Sequence, residues 1–257
     1  MDRTTRLKYL DAMGIQVWQP VASDRLSPGR AAGNVESERE CTKAAVPVEP
    51  SEEAAGTTAV DRAESPEAAS GEVWEALQQK VAACTVCPLH RSRTQTVFGT
   101  GNRSAEWMVI GEAPGAQEDR QGEPFVGPAG LLLNEMLRSV GLRREDVFIA
   151  NILKCRPPQN RDPLPAEVEA CSGFLEQQVA LVKPKIILAV GRVAAQNLLK
   201  VDEPLRRLRG KVHHYAGIPV VVMYHPAYLL RQLREKAKAW QDLQLALKVF
   251  NSQELCP

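Results

Sequence analysis

Four short, apolar, β-branched runs stand out along the chain: WMVIGE at 107–112, VFIANI at 147–152, KIILAVG at 185–191 and VVVMYH at 220–225. None shows the polar alternation of a strand with one wet face, which is the pattern of strands covered on both sides in a parallel sheet. Between and after them, apolar residues recur at helical spacing and predict helices over 128–140, 165–182, 192–199 and 227–249, with another in VWEALQQKVAAC from Val73. Strand and helix alternating in one stretch predict an α/β fold, a three-layer α/β/α sandwich around a mostly parallel four-stranded sheet. Ligands of such sheets bind beyond the carboxyl ends of the strands. Three of the four ends carry a polar side chain there: Glu112, Asn151 and His225.

The pattern fails before Val73. Residues 20–72, as in SEEAAGTTAVDRAESPEAASGE, are rich in Ala, Glu, Ser, Pro and Gly without a sustained period, and are expected to form a disordered acidic linker. Residues 1–19 hold an apolar cluster, Leu7, Leu10, Met13, Ile15, Val17 and Trp18, too small to fold alone. It reads as a tethered partner-binding segment or as a frayed helix lying on the main domain. The expected organisation is thus 1–19, 20–72, a main domain at 73–250 and a tail at 251–257.

Composition changes this picture little: 44% hydrophobic and 25% charged residues suit a globular core, and the net charge of +1 is neutral towards polyanions. The charge is unevenly spread, however. Residues 1–72 hold 8 basic and 13 acidic side chains, so the remainder is the basic part of the chain, as a nucleic-acid partner would favour. There is no apolar run long enough to span a membrane and no secretory signal pattern, so a cytoplasmic protein without membrane contact is expected.

Four of the six cysteines fall in two groups, Cys84-x2-Cys87 and Cys155-x15-Cys171. In a reducing compartment two such pairs point to a four-coordinate metal centre, zinc or iron–sulfur, rather than to disulfides. Buried thiols without metal are the plainer alternative. Cys41 and Cys256 have no such company. The loop GEAPGAQEDRQGEPFVGPAG after the first strand gathers Glu112, Glu118 and Asp119, but is neither a Walker A loop nor GxGxxG. Phe125 within it is either a packed loop aromatic or a stacking platform for a flat ligand.

The motifs GEAPG, PFVGPAG, ANILKCRPPQNRDP and YHPAYLL, in this order and with the four cysteines, resemble the family-4 uracil-DNA glycosylases, over about residues 78–249. The resemblance implies that Cys84, Cys87, Cys155 and Cys171 hold a [4Fe–4S] cluster. It implies that Phe125 stacks on a flipped-out uracil, that Asn151 reads O4 and N3–H, and that His225 donates to O2 as the base departs. Glu112 and Glu118 are the carboxylates placed to hold water and to balance the sugar cation. Ala113 stands where the best-known glycosylase class has its activating Asp, as is usual in family 4, and lines the uracil pocket with Glu112. Asn160 would help to position sugar or water, or is a turn residue. Leu229, Leu230 and Arg231 lie where the superfamily inserts a loop into the duplex, giving one apolar wedge and one phosphate contact, and Gly191-Arg192 would present backbone N–H groups to a phosphate. In RRLRGK at 206–211 the choice is between phosphate contacts and a solvated charge run.

The expected activity is therefore hydrolysis of the deoxyuridine glycosidic bond in single- or double-stranded DNA by a monomeric, monofunctional enzyme. The motifs are read as offering no lysine for a Schiff base, so no lyase step is expected. Two alternatives are a uracil-crosslinking variant, whose Lys-Arg-Arg-Ile-His loop this chain lacks, and a non-catalytic iron–sulfur nucleic-acid-binding module. Finally, RLKYLDAMGIQVWQP resembles the N-terminal segment of the psi subunit of the bacterial clamp loader, which implies a replication-protein partner for residues 1–18.

Overall fold

The computed structural model describes residues 66–254 together with Thr5, Lys8, Tyr9 and Ala12. The rest of the apolar N-terminal cluster, the expected linker up to residue 65, Cys41 and Cys256 lie outside the described residues. Helix α1 (Pro66–Ala82) leads into the first cysteine pair. Strands β1 (Thr100–Gly101) and β2 (Trp107–Gly111) follow, then α2 (Ala116–Gln121), α3 (Pro128–Ser139) and β3 (Phe148–Asn151). After α4 (Pro165–Val182) come β4 (Ile186–Val190), α5 (Arg192–Leu199), α6 (Leu205–Leu208), β5 (Val212–Tyr215) and β6 (Ile218–Met223). The described chain closes with α7 (Pro226–Arg231) and α8 (Lys236–Glu254).

The four expected strands pair in parallel as β3-β2-β4-β6, and the sheet is extended to six by an antiparallel strand at each edge, giving the order β1-β3-β2-β4-β6-β5. The strand count of four thus falls short by the two edges. β1 is only two residues long, and β5 (VHHY) alternates half-buried and exposed side chains in a hairpin with β6. Neither offers an apolar run. His213 and His214 lie on this edge hairpin.

The period of two along each central strand sorts its side chains to two cores. On one face Met108, Ile110, Ile187, Ala189, Val220 and Val222 pack against Leu77 of α1, Val179 of α4 and Leu198 of α5. On the other, Val109, Ile149, Leu188 and Val221 meet Leu133 and Met136 of α3 and Leu243 of α8. All of these strand residues are fully buried, as strands covered on both faces must be. The expected three-layer sandwich therefore has α1, α4 and α5 on one side and α3, α7 and α8 on the other.

The helix expected over 227–249 is two helices. Gln232, with φ −122° and ψ 76°, ends α7 and lets the chain turn before α8 begins. Pro226 at the first helical position of α7 is preorganised for a helix start, which sets His225 at the N-cap.

Candidate active site

Parallel register brings the strand ends into line. Gly111 pairs with Asn151, and Val190 with Met223. The chain leaves β2 towards β3 on one side and later places β4 on the other, so a crevice opens at the switch point. A cavity of about 480 Å³ occupies it, lined among others by Glu112, Ala113, Glu118, Phe125, Asn151, Asn160, Asp162, His225, Tyr228 and Arg231.

Asn151 is only 2% exposed, and what exposure it keeps is at the cavity that it lines. Its backbone is fixed by Lys154, whose Nζ donates to the Asn151 carbonyl at 2.8 Å and to Gln178 Oε1 at 2.6 Å. Complete burial pushes Lys154 down to about 8. This lysine of the third motif is tied beneath the cavity and does not line it.

Two close approaches shape the pocket. A Cβ on Gly111 would lie 2.4 Å from Asn151 Oδ1 and 2.7 Å from Phe125 Cζ, so only glycine lets these two side chains meet across the end of β2. Gly191, at φ 97°, turns the chain from β4 into α5 beneath His225, whose Cβ would be 3.2 Å from an added methyl group.

His225 accepts the Ala227 N–H at Nδ1 over 3.1 Å, which leaves its proton on Nε2. Burial, helped by the charge of Arg231 and opposed by Glu118, pushes it down to about 4, so the imidazole is neutral at pH 7. Its ring lies near-parallel to Phe125, with centroids 5.6 Å apart.

Glu112 behaves oppositely. Burial, and then the neighbouring Asp162, push its carboxyl up to about 7, with Arg192 opposing. Glu118 has both oxygens engaged by the backbone: Oε2 accepts from Gly115 N–H at 3.1 Å, and Oε1 from Val126 at 3.0 Å and Gly127 at 3.1 Å. Asp119 leaves the expected carboxylate group, for it is buried and accepts from Thr94 N–H at 2.9 Å.

The remaining expected residues divide. Asn160 lines the cavity while accepting from Arg156 Nε at 2.7 Å. Arg192 is held on the surface by Asp162 at 2.6 Å. Leu230 is exposed and Arg231 reaches the rim. Leu229 is a correction: at 1% exposure it packs in the core beside α3 and α8, because the helical turn of α7 points successive leucines in different directions. Within RRLRGK, Arg209 is turned inward onto Asp242 at 2.6 Å. Asp162, Arg161 and Tyr228 line the cavity without having been singled out from the sequence. Their place within the CRPPQNRDP and HPAY motifs was the available signal.

The four cysteines form a second locus beside the site. Cys155 and Cys171 are buried with Leu89 and Leu153, Cys87 packs against them, and Cys84 is close enough to act electrostatically on Cys155. All four are free thiols. Arg93 Nη1 donates to Cys155 Sγ at 3.0 Å, and the Lys154 N–H to Cys171 Sγ at 3.4 Å. Among the described residues no three side chains converge on one point suited to a single ion. An all-cysteine donor set is of the type that holds an iron–sulfur cluster. The donors aimed at two of the sulfurs match that use.

A mostly parallel sheet with a cavity at its switch point is the layout of an α/β enzyme, and the family match makes the class that of the uracil-DNA glycosylases: the model of the Uracil DNA glycosylase superfamily matches residues 98–244. The type-4 uracil-DNA glycosylase of Archaeoglobus fulgidus is 48% identical over 168 residues, 62% of this chain and 84% of that protein. The type-4 enzyme of Thermotoga maritima is 44% identical over 162 residues, again 62% and 84%. A type-5 uracil-DNA glycosylase of Pyrobaculum aerophilum is 32% identical, with 56% of this chain and 74% of that protein covered. The chain belongs to the type-4 uracil-DNA glycosylases. No helix among the described residues is long and apolar enough to cross a membrane.

Proposed function

We propose that this protein hydrolyses the N-glycosidic bond of deoxyuridine in DNA, releasing uracil and leaving an abasic site, without a lyase step. The observation that carries the reading is the buried side chain of Asn151 lining the same cavity as Phe125, His225 and Glu112. An extruded uracil stacks on Phe125, while the Asn151 amide donates to O4 and accepts from N3–H. Ala113 lines the same cavity beside Glu112. Neutral His225 donates from Nε2 to O2 as negative charge grows on the leaving base, a role that needs a fixed donor and no proton transfer. Glu112, held near 7, orients and deprotonates the attacking water and balances the oxocarbenium-like sugar. Glu118 adds negative charge while ordering the loop that bears Phe125, and Asn160 contacts sugar or water from the rim. Leu230 enters the gap left by the base, with Arg231, Arg192 and the N–H groups after Gly191 on phosphates.

Cys84, Cys87, Cys155 and Cys171 would hold a [4Fe–4S] cluster, which when bound supplies a structural cross-link near the DNA surface and no redox step. A monomer in the bacterial cytosol and nucleoid, with residues 1–18 reaching a replication protein, completes the proposal. The psi-like string RLKYLDAMGIQVWQP supports that last point, and a pull-down of clamp-loader proteins unchanged by deleting residues 1–18 would remove it.

The assignment of Asn151 is tested by its replacement. Asn151→Asp exchanges the donor for an acceptor, so uracil release is expected to fall by about 100-fold or more and the preference for uracil over cytosine to shrink. Competitive cleavage of uracil- and cytosine-containing oligonucleotides reads both. Unaltered selectivity would refute the role.

A further inference from the structure

We propose that Arg144 is a positioning residue for the base-stacking ring: with Glu118 on the opposite side, its guanidinium locks the peptide group between Phe125 and Val126, and so aims Phe125 into the cavity. Phe125 has φ 54°, in the left-handed region that a bulky side chain rarely adopts. Such a conformation persists only where the surroundings over-determine it. Here they do so from two sides. Arg144 Nη1 donates to the Phe125 carbonyl at 3.1 Å and Nη2 to the Pro124 carbonyl at 2.5 Å. The N–H end of the same peptide group, that of Val126, donates to Glu118 Oε1 at 3.0 Å. A cation therefore holds the C=O and an anion the N–H.

The carbonyl fits there only because residue 130 is a glycine, since a Cβ on Gly130 would lie 1.8 Å from Phe125 O. Arg144 is itself oriented by Asn134 Oδ1 at 3.4 Å. It stands in the turn before β3, outside the cavity lining, so it reaches the substrate only through the loop. Glu123 and Glu118 balance its charge. The planar guanidinium presents two N–H groups to two successive carbonyls in a fixed fork, a geometry that the rotating point charge of a lysine ammonium does not reproduce.

The proposal rests on the reading that Phe125 stacks on the base, and a double-mutant cycle separates the two. Phe125→Leu and Arg144→Met are each expected to lower kcat/KM, the latter by about 100-fold through misplacement of the ring. The double variant should be no worse than Phe125→Leu alone, since the arginine then has no ring left to place. Arg144→Lys, which keeps the charge and the fold, should fall close to Arg144→Met. Full multiplication of the two losses, or a wild-type rate in Arg144→Lys, would overturn the role of Arg144 while leaving stacking intact. A wild-type rate in Phe125→Leu would overturn stacking and the proposal with it.

Discussion

Glu112 and His225 share one cavity, yet burial moves them in opposite directions because each is driven to its neutral form: the carboxyl up to about 7, the imidazole down to about 4. A base acts only when ionised. The rate should therefore rise as pH increases through about 7, and replacing Glu112 by Gln should both slow the enzyme and flatten that rise. His225→Asn should lower the rate at every pH with the rise intact, because the imidazole is already neutral there. Initial rates measured across the range decide this, and a rise that survives in Glu112→Gln would assign the titration elsewhere. Stability carries the opposite sign. Since the folded value lies above the ordinary 4.5, ionising Glu112 weakens the fold, by nothing below pH 4.5 and by the full amount above 7. Glu112→Gln should then have the higher Tm above pH 7 and match the wild type in acid. The residue types at this site were readable in the sequence, but the values were not, for they depend on Asp162, Arg192 and Arg231, which arrive from other segments of the chain. The inward turn of Asp119 was hidden for the same reason: its partner is Thr94, 25 positions earlier.

Strands were legible as elements because a doubly covered strand needs an unbroken apolar run, and β2, β3, β4 and β6 each have one. Their register follows from the same runs and delivers Gly111 opposite Asn151. The edges were not legible. Two residues suffice for β1, and β5 alternates as an edge strand should, with no apolar run to mark it. The break at Gln232 was masked by helical spacing that continues on both sides of it. One consequence of the register can be checked directly. Gly111→Ala places a methyl group against Asn151 and Phe125, so kcat/KM should fall by about 100-fold. The fold should survive with a Tm loss of some degrees, because the clash is confined to the mouth of the sheet. Circular dichroism melts beside uracil-release assays would show the split; equal activity in this variant would mean that the two side chains need not approach each other.

The whole molecule is organised around two adjoining loci at one end of the sheet, the cavity and the four thiols. Cys84 and Cys87 follow α1, Cys155 follows β3 and Cys171 lies in α4, so a cluster bound there would tie three segments together at the point where the cavity wall begins. Anaerobically purified protein should contain about four irons with matching sulfide, and Cys171→Ser should lose them. A loss of about 3 kcal/mol would lower Tm by roughly 10 °C in a domain of this size. The four cysteines could be found from their spacing, whereas the spacing alone left one ion and a cluster as alternatives, and the cluster was implied by the family resemblance. The most direct test of the account is incubation of the anaerobically purified protein with an end-labelled oligonucleotide containing one uracil, followed by alkali and a denaturing gel. Strand cleavage at the uracil, seen only after alkali, is the predicted result. Intact DNA after alkali, whether free or carried in a denaturation-resistant protein band, would contradict it.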